Sequence, residues 1–356
     1  MPVSIIGNSG IQFPDSSLQA AAASPNVLKN RIINGDMRID QRNAGASITP
    51  ATIYEQYTLD RWDYIFDTAS KISIQQNAAS VTPPTGFTNY LGATTVSAYS
   101  VTSGNFFVIA QKIEGYNISD LAWGTANAKT ITLSFWVRSS LTGTFGGSLR
   151  NSAADRSYAF TYTISSANTW EQKTITIAGD TSGTWLITNG IGIQINFGLG
   201  VGSTYSGTAG SWAGANYLSA TGATSVVATN GATFYITGVQ LEVGSTATPF
   251  ERRLYGQELA NCQRYFYQYT GVQAIYWEGY AASGVLPTWN GCLPVSMRAS
   301  PTGALIGTYS ISNCANVSVN TTGSQTINLQ ANSVSSTGRT YFHSNASSGY
   351  SVSAEL

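Results

Sequence analysis

Charge is what this sequence of 356 residues has least of. Asp, Glu, Lys and Arg together make up 10% of it, against about 25% in an ordinary soluble domain. The 17 basic and 17 acidic side chains cancel, so neither nucleic acid nor an anionic membrane surface is an expected partner. Histidine occurs once, at His343. One imidazole cannot serve as both metal ligand and base, and no GxSxG-type nucleophile motif or P-loop accompanies it. The bland reading of His343, a surface or packing residue, is preferred. Cys262, Cys292 and Cys314 are odd in number and widely spaced, where a zinc site would use paired CxxC. They are expected to be buried free thiols formed in a reducing compartment. No metal, cofactor or catalytic residue is assigned. The start, MPVSIIGNSGIQ, lacks the basic and apolar regions of a signal peptide, and no apolar run reaches the roughly 18 residues of a membrane span. Membrane insertion is therefore not expected, and folding inside a cell is.

What remains is uncharged, polar and aromatic. Hydrophobic residues reach 42% and aromatics 12%, enough to fill real cores in two domains. TITLSFWVR alternates Ile131, Leu133, Phe135 and Val137 with Thr132, Ser134, Trp136 and Arg138. YAFTYTI puts Tyr158, Phe160, Tyr162 and Ile164 on one face; KTITI does so with Ile175 and Ile177, and IGIQINF with Ile191, Ile193, Ile195 and Phe197. FFVIAQKI and FYITGVQLEV extend the pattern, and Gly-rich clusters such as LTGTFGG and SGTAGSWAGAN separate the runs. Short alternating strands joined by turns predict an all-β fold, a jelly-roll β-sandwich over residues 30–250. GLGVG at 198–202 is read within this scheme as a turn cluster, since no helix follows it.

Two segments differ. In residues 1–29, IQFPDSSLQAAAASP has a turn signal at Pro14-Asp15 and an alanine run favouring helix, stopped by Pro25. Such a segment buries no core alone and suits attachment or intertwining. Over 251–266, GSTATP gives way to a charged stretch with Tyr255, Leu259, Cys262 and Phe266 at helical spacing. A short linker helix is predicted, its stripe packed either on its own sandwich or against the same helix of another chain. Residues 267–356 form a small C-terminal β domain with only Glu278, Arg298, Arg339 and Glu355 charged.

Candidate chemistry falls in two places. Asp36, Asp40, Asp60, Asp63 and Asp67 lie among Arg38, Arg42 and Arg61. They are read as salt-bridged scaffolding, with carboxyl pKa values lowered by the arginines and poorly suited to general acid work. In the C-terminal domain, YWEGY, PTWNG and TYFHS set rings among amides and hydroxyls. An exposed ring stacks on the apolar face of a sugar while polar neighbours bond its hydroxyls. Tyr276, Trp277, Tyr280, Trp289 and Tyr341 are the candidate glycan contacts.

Several longer stretches carry a resemblance. NRIINGDMRIDQRNAG, YTLDRW, QKIEGYNISDLAWGTANAKTITLSFWVRSS, NTWEQKTITIAGDTSGTW and ITGVQLEVGSTATPFERRLYGQELANCQRYF resemble bacteriophage tail-fibre and related virion fibre proteins. GIQFPDSSLQ resembles the short G-I-x-F-P-D-G segments that begin such fibres, with Ser16 where Gly is common. The resemblance implies a non-enzymatic homotrimer of the virion, assembled in host bacterial cytoplasm. It implies that residues 1–29 join other tail or virion proteins and that a C-terminal tip binds host cell-surface glycan. The Tyr255, Leu259, Cys262 and Phe266 helix becomes a hinge near a threefold axis. A fibre or decoration on the capsid, and a tailspike-type depolymerase using an acid such as Asp60 or Glu278, are the alternatives.

Overall fold

The structure, a computed structural model, describes residues 29–356 apart from Ile53 and Ser333, and before them only the backbone of three short strands, Ser4–Ile6, Gly10–Gln12 and Leu18–Gln19. The alanine run, and with it the expected N-terminal helix, lies outside the described residues.

The chain is all-β, and its larger part is a jelly-roll sandwich of antiparallel sheets. One sheet has seven strands in the order Trp212–Ala213, Ser157–Ile164, Gly143–Arg150, Ile191–Val201, Phe106–Glu114, Trp62–Phe66 and Tyr54–Leu59. The other has five: Glu171–Ile177, Ile131–Ser139, Thr233–Val243, Leu91–Thr95 and Ile72–Gln76. Alternation places the core as expected. Ile131, Leu133, Phe135 and Val137 are fully buried between the sheets, with Phe160, Tyr162, Ile193, Ile195 and Phe197 facing them. GLGVG is not a turn: Gly198 to Val201 continue the strand, with Gly200 at φ 157° absorbing a register shift.

Val239 and Leu241 enter this core, while Gln240 and Glu242 face outward yet are also buried. The chain doubles back over them. Glu242 accepts from Thr248 N at 2.8 Å, Gln240 donates to the Thr248 carbonyl at 3.2 Å, and Gln240 accepts from Glu251 N at 2.7 Å. Gly238, at φ 60°, sits where a Cβ would meet the Phe87 ring at 2.6 Å, so only glycine fits this bulge.

Helix α1 spans Tyr255–Gln263, shorter than the sequence suggested, and its buried face differs from the expected stripe. Tyr255 is 56% exposed and Leu259 half-buried; Glu258 and Cys262 face inward. Phe266 is not helical at all but opens the strand Phe266–Thr270. The reason is an ion pair: Glu258 takes Arg253 at 3.1 Å and the Asn34 amide, so the helix seats on its own sandwich through a charge.

Residues beyond the helix build three three-stranded sheets around a second core of Ile275, Ile327, Leu329, Phe342, Tyr350 and Val352. This module is bonded to the sandwich at several points. Arg264 donates to Glu114 at 2.7 and 3.0 Å, and Tyr265 OH donates to the same carboxylate at 2.6 Å. Glu355 takes Arg42 at 2.5 Å and also Arg61, and Arg298, held within the module by the Ala354 and Glu355 carbonyls, donates across to the Asn189 carbonyl at 2.7 Å. A helix whose two ends are tied this way is a bracket between the parts, which corrects the picture of a free hinge.

Candidate glycan-contacting face

One of the C-terminal sheets runs Tyr276–Ala281, Gly338–Ser344, Tyr309–Ser312, all antiparallel. Register sets Tyr276 opposite His343, Glu278 opposite Tyr341, and Tyr280 opposite Arg339; Ser310 and Ser312 face His343 and Tyr341 on the third strand. Cross-strand partners share a face. One side of this sheet is therefore Tyr276, Glu278, Tyr280, Arg339, Tyr341 and His343, with two serines at its margin.

That side faces solvent. Tyr280 is 80% exposed, Tyr276 is 42% exposed, and the Arg339 side chain is 74% exposed. The rings of Tyr276 and His343 lie 6.1 Å apart at 28°, those of His343 and Tyr341 5.7 Å apart at 22°, and the Arg339 guanidinium lies 5.9 Å from the Tyr341 ring. Arg339 bridges Glu278 at 2.6 Å, and Tyr276 OH donates to the other oxygen of Glu278. The hydrogen bonds from Tyr276 and Arg339 hold the Glu278 carboxyl below its ordinary value, while the bond to Glu278 raises the Tyr276 phenol. The face is thus a row of near-parallel rings, pinned by an ion pair whose members also bond one another.

The structure brings together three of the five expected contacts, Tyr276, Tyr280 and Tyr341. Trp277 and Trp289 do not join them. Trp277 points to the opposite side, stacked on Phe342 at 6.1 Å and 10°, and Trp289 lies 5.7 Å from Tyr350. Both pack against the second core: Trp277 because strand alternation puts it out of phase with the exposed rings, and Trp289 because its strand, Thr288–Cys292, belongs to a different sheet. Glu278, Arg339 and His343 were missed as members of the face. Their signal was available: charged residues at the same strand parity as Tyr276 and Tyr280 mark the solvent side.

The early aspartates are scaffolding, but only Asp36 pairs with an arginine beside it, and their acidity does not follow the arginines. Arg38 bridges Asp36 at 2.5 Å, whereas Arg42 and Arg61 turn to Glu355. Asp60 accepts from Gln41 N at 2.5 Å and Gln41 Nε2 at 2.9 Å. Among the described residues Asp63 accepts no hydrogen bond; Lys112 lies 3.6 Å away, and the Glu55 carboxyl nearby adds to the raising of its pKa. Burial outweighs the nearby cations, so Asp36 and Asp63 are raised and Asp60 is pushed up to about 6. The expected lowering is corrected for all three. The thiols also divide: Cys262 is buried and raised well above its usual range by burial, Cys314 is half-buried, and Cys292 is exposed.

No protein-family model matches the chain, and no curated protein matches it. Among solved structures it is similar to the enzymatically active domain of bacteriophage CBA120 tailspike protein 4, at 14% identity and TM-score 0.32, over 60% of this chain and 21% of that one. The chain thus spans about a fifth of that tailspike chain. A family 11 carbohydrate-binding module of Clostridium thermocellum in complex with a mixed-linked tetrasaccharide is similar at 13% identity and TM-score 0.29, over 56% of this chain and all of the module. The N-terminal modules of C. thermocellum xylanase 10B with xylohexaose are similar at 9% identity and TM-score 0.29, over 58% and 30%. The fold described above rests on sheet order and register, and the site on its own geometry.

Proposed function

We propose that this chain is a virion fibre protein that attaches to host cells by binding surface glycan through the exposed face of its C-terminal module. The observation that carries the reading is the row of near-parallel Tyr276, His343 and Tyr341 rings beside the fully open Tyr280. Rings of this kind stack on pyranose faces, and Glu278, Arg339 and the marginal serines supply donors and acceptors for hydroxyls. The surface is flat rather than pocketed, so each contact is weak. A homotrimer, joined to other tail or virion proteins by the N-terminal segment, raises the effective affinity by about 10²–10⁴ through linked sites.

The proposed action is binding without cleavage. Glu278 is held ionised by its two partners and so has no proton to give at neutral pH. Asp60 has a pKa suited to an acid, yet it is buried and bonded to Gln41, out of reach of a substrate. A capsid-attached fibre would use the same face, and its position in the particle separates the two readings. The test is retention of the purified full chain on bacterial surface polysaccharides, with reducing ends assayed in the same samples. Retention without released ends supports the reading; released oligosaccharide makes the chain a depolymerase, and no retention removes the glycan assignment.

A further inference from the structure

On the sandwich, remote in sequence from the exposed rings, an open groove of about 440 Å³ is lined by Gln172, Thr174, Ala247, Thr248 and Pro249. Its floor is the edge strand Glu171–Ile177 of the five-stranded sheet, whose outward side chains Gln172, Thr174 and Thr176 are exposed. Its wall is the returning chain at 247–249. That wall is fixed from beneath: the buried Gln240 and Glu242 bond Thr248, and Lys29 donates to the Pro249 carbonyl at 3.2 Å. One end is tied by Thr176 Oγ1 donating to the Ser245 carbonyl at 3.1 Å. Beside Gln172, on the same face, register places the half-buried Trp136.

The lining sorts by chemistry. It offers one carboxamide, two hydroxyls and the apolar surfaces of Ala247 and Pro249, and it carries no charge. Glu242, the acid beneath it, is 3% exposed at its side chain and occupied by Thr248 N and Oγ1. Glu171 and Lys173 pair with each other at 2.6 Å and occupy the opposite parity of the strand. The nearest cation, Lys29, is engaged by the Pro249 carbonyl at 3.2 Å and lies 3.9 Å from Glu242, so among the described residues an anionic ligand finds no uncommitted cation and a cation finds no free acid.

We infer that this groove is a second glycan site, one that holds a neutral sugar chain lengthwise between the edge strand and the 247–249 wall. Hydroxyls bond Gln172, Thr174 and Thr248, and the apolar ring faces lie against Ala247 and Pro249. A fixed wall is what such a site needs, since little ordering entropy is then lost on binding. The inference does not depend on the C-terminal face.

The experiment is saturation-transfer NMR on the full chain carrying Tyr276→Ala, Tyr280→Ala and Tyr341→Ala, so that the stacking rings of the C-terminal face are removed, with cellohexaose and maltohexaose as neutral probes and polygalacturonate as an acidic one. Binding of a neutral probe is expected, weakened about three- to tenfold when Gln172→Ala and Thr174→Lys are added, because hydrogen bonds are lost and the floor is filled. Both positions are exposed, and the melting curve of this variant checks that the fold is kept. Absence of neutral binding, acidic binding in its place, or neutral binding unmoved by the two groove changes overturns the inference.

Discussion

The rings of Tyr276 and His343 are cross-strand partners held 6.1 Å apart and within 28° of parallel on an open sheet face. Open rings aligned in this way do nothing for the core, which lies on the other side of the sheet. Replacing exposed aromatics should therefore separate function from stability. Tyr276→Ala with Tyr280→Ala should leave thermal unfolding within about 0.5 kcal/mol of wild type, while glycan retention falls. A large drop in melting temperature would show that these rings are structural.

The tryptophans predict the reverse. Trp277 stacks on Phe342 and Trp289 packs by Tyr350, both against the second core. Trp277→Ala or Trp289→Ala should cost about 2–4 kcal/mol, somewhat under the full-burial figure because each ring is only partly covered. Denaturant titration measures this. An unchanged midpoint would return these residues to the list of contacts.

Glu114 receives Arg264 twice and Tyr265 once, at the seam between the sandwich and the C-terminal module. Glu114→Ala leaves the Arg264 guanidinium and the Tyr265 hydroxyl without their partner, at a cost of about 1–3 kcal/mol, below that of a fully buried pair because the Arg264 side chain is 35% exposed. Calorimetry should show one unfolding transition in wild type and an earlier, separate transition of the C-terminal module in the variant. Two transitions already present in wild type would mean that the seam is loose and that α1 acts as a hinge after all.

Asp63 is buried, lacks a hydrogen bond and has its pKa raised by burial. The sign follows directly. The folded state binds a proton that the unfolded chain releases near pH 4, so this group's contribution to stability is complete below that pH. It is lost as pH rises toward the raised folded value. Asp63→Asn should flatten the fall in stability between pH 4 and neutrality and be as stable as wild type, or more so, at pH 8. A variant that is less stable at pH 8 would show that the charged form, paired with Lys112, supports the fold.

How legible was this in the sequence? Strands such as Ile131–Ser139 were plain, because the residues alternate and the inward Ile131, Leu133, Phe135 and Val137 are apolar. The C-terminal face was half legible. In YWEGY the parity was clear, but which parity faced water had to be read from Glu278, and the rings were pooled instead. The helix differs for another reason: of its two buried positions, Cys262 keeps apolar spacing but Glu258 is an acid paired with Arg253, which a search for apolar spacing passes over. The pKa values of Asp60 and Asp63 could not be read from neighbours in sequence. Arg61 reaches Glu355, almost at the other end of the chain, and burial by distant segments sets the acidity.

The assembly state has its own check. Equilibrium sedimentation of the full chain should give three times 37.7 kDa. A monomer mass would remove the avidity on which weak, flat contacts depend.

The most direct test of the central claim is the affinity of the full chain for whichever surface polysaccharide retains it, measured by biolayer interferometry at low surface density, wild type beside Tyr276→Ala, Tyr280→Ala and Tyr341→Ala combined. Loss of stacking at about 1 kcal/mol or more per ring should weaken single-site binding by about 100-fold, since each 1.4 kcal/mol is a factor of ten. Equal affinity in the two proteins would contradict the account and move host recognition away from this face.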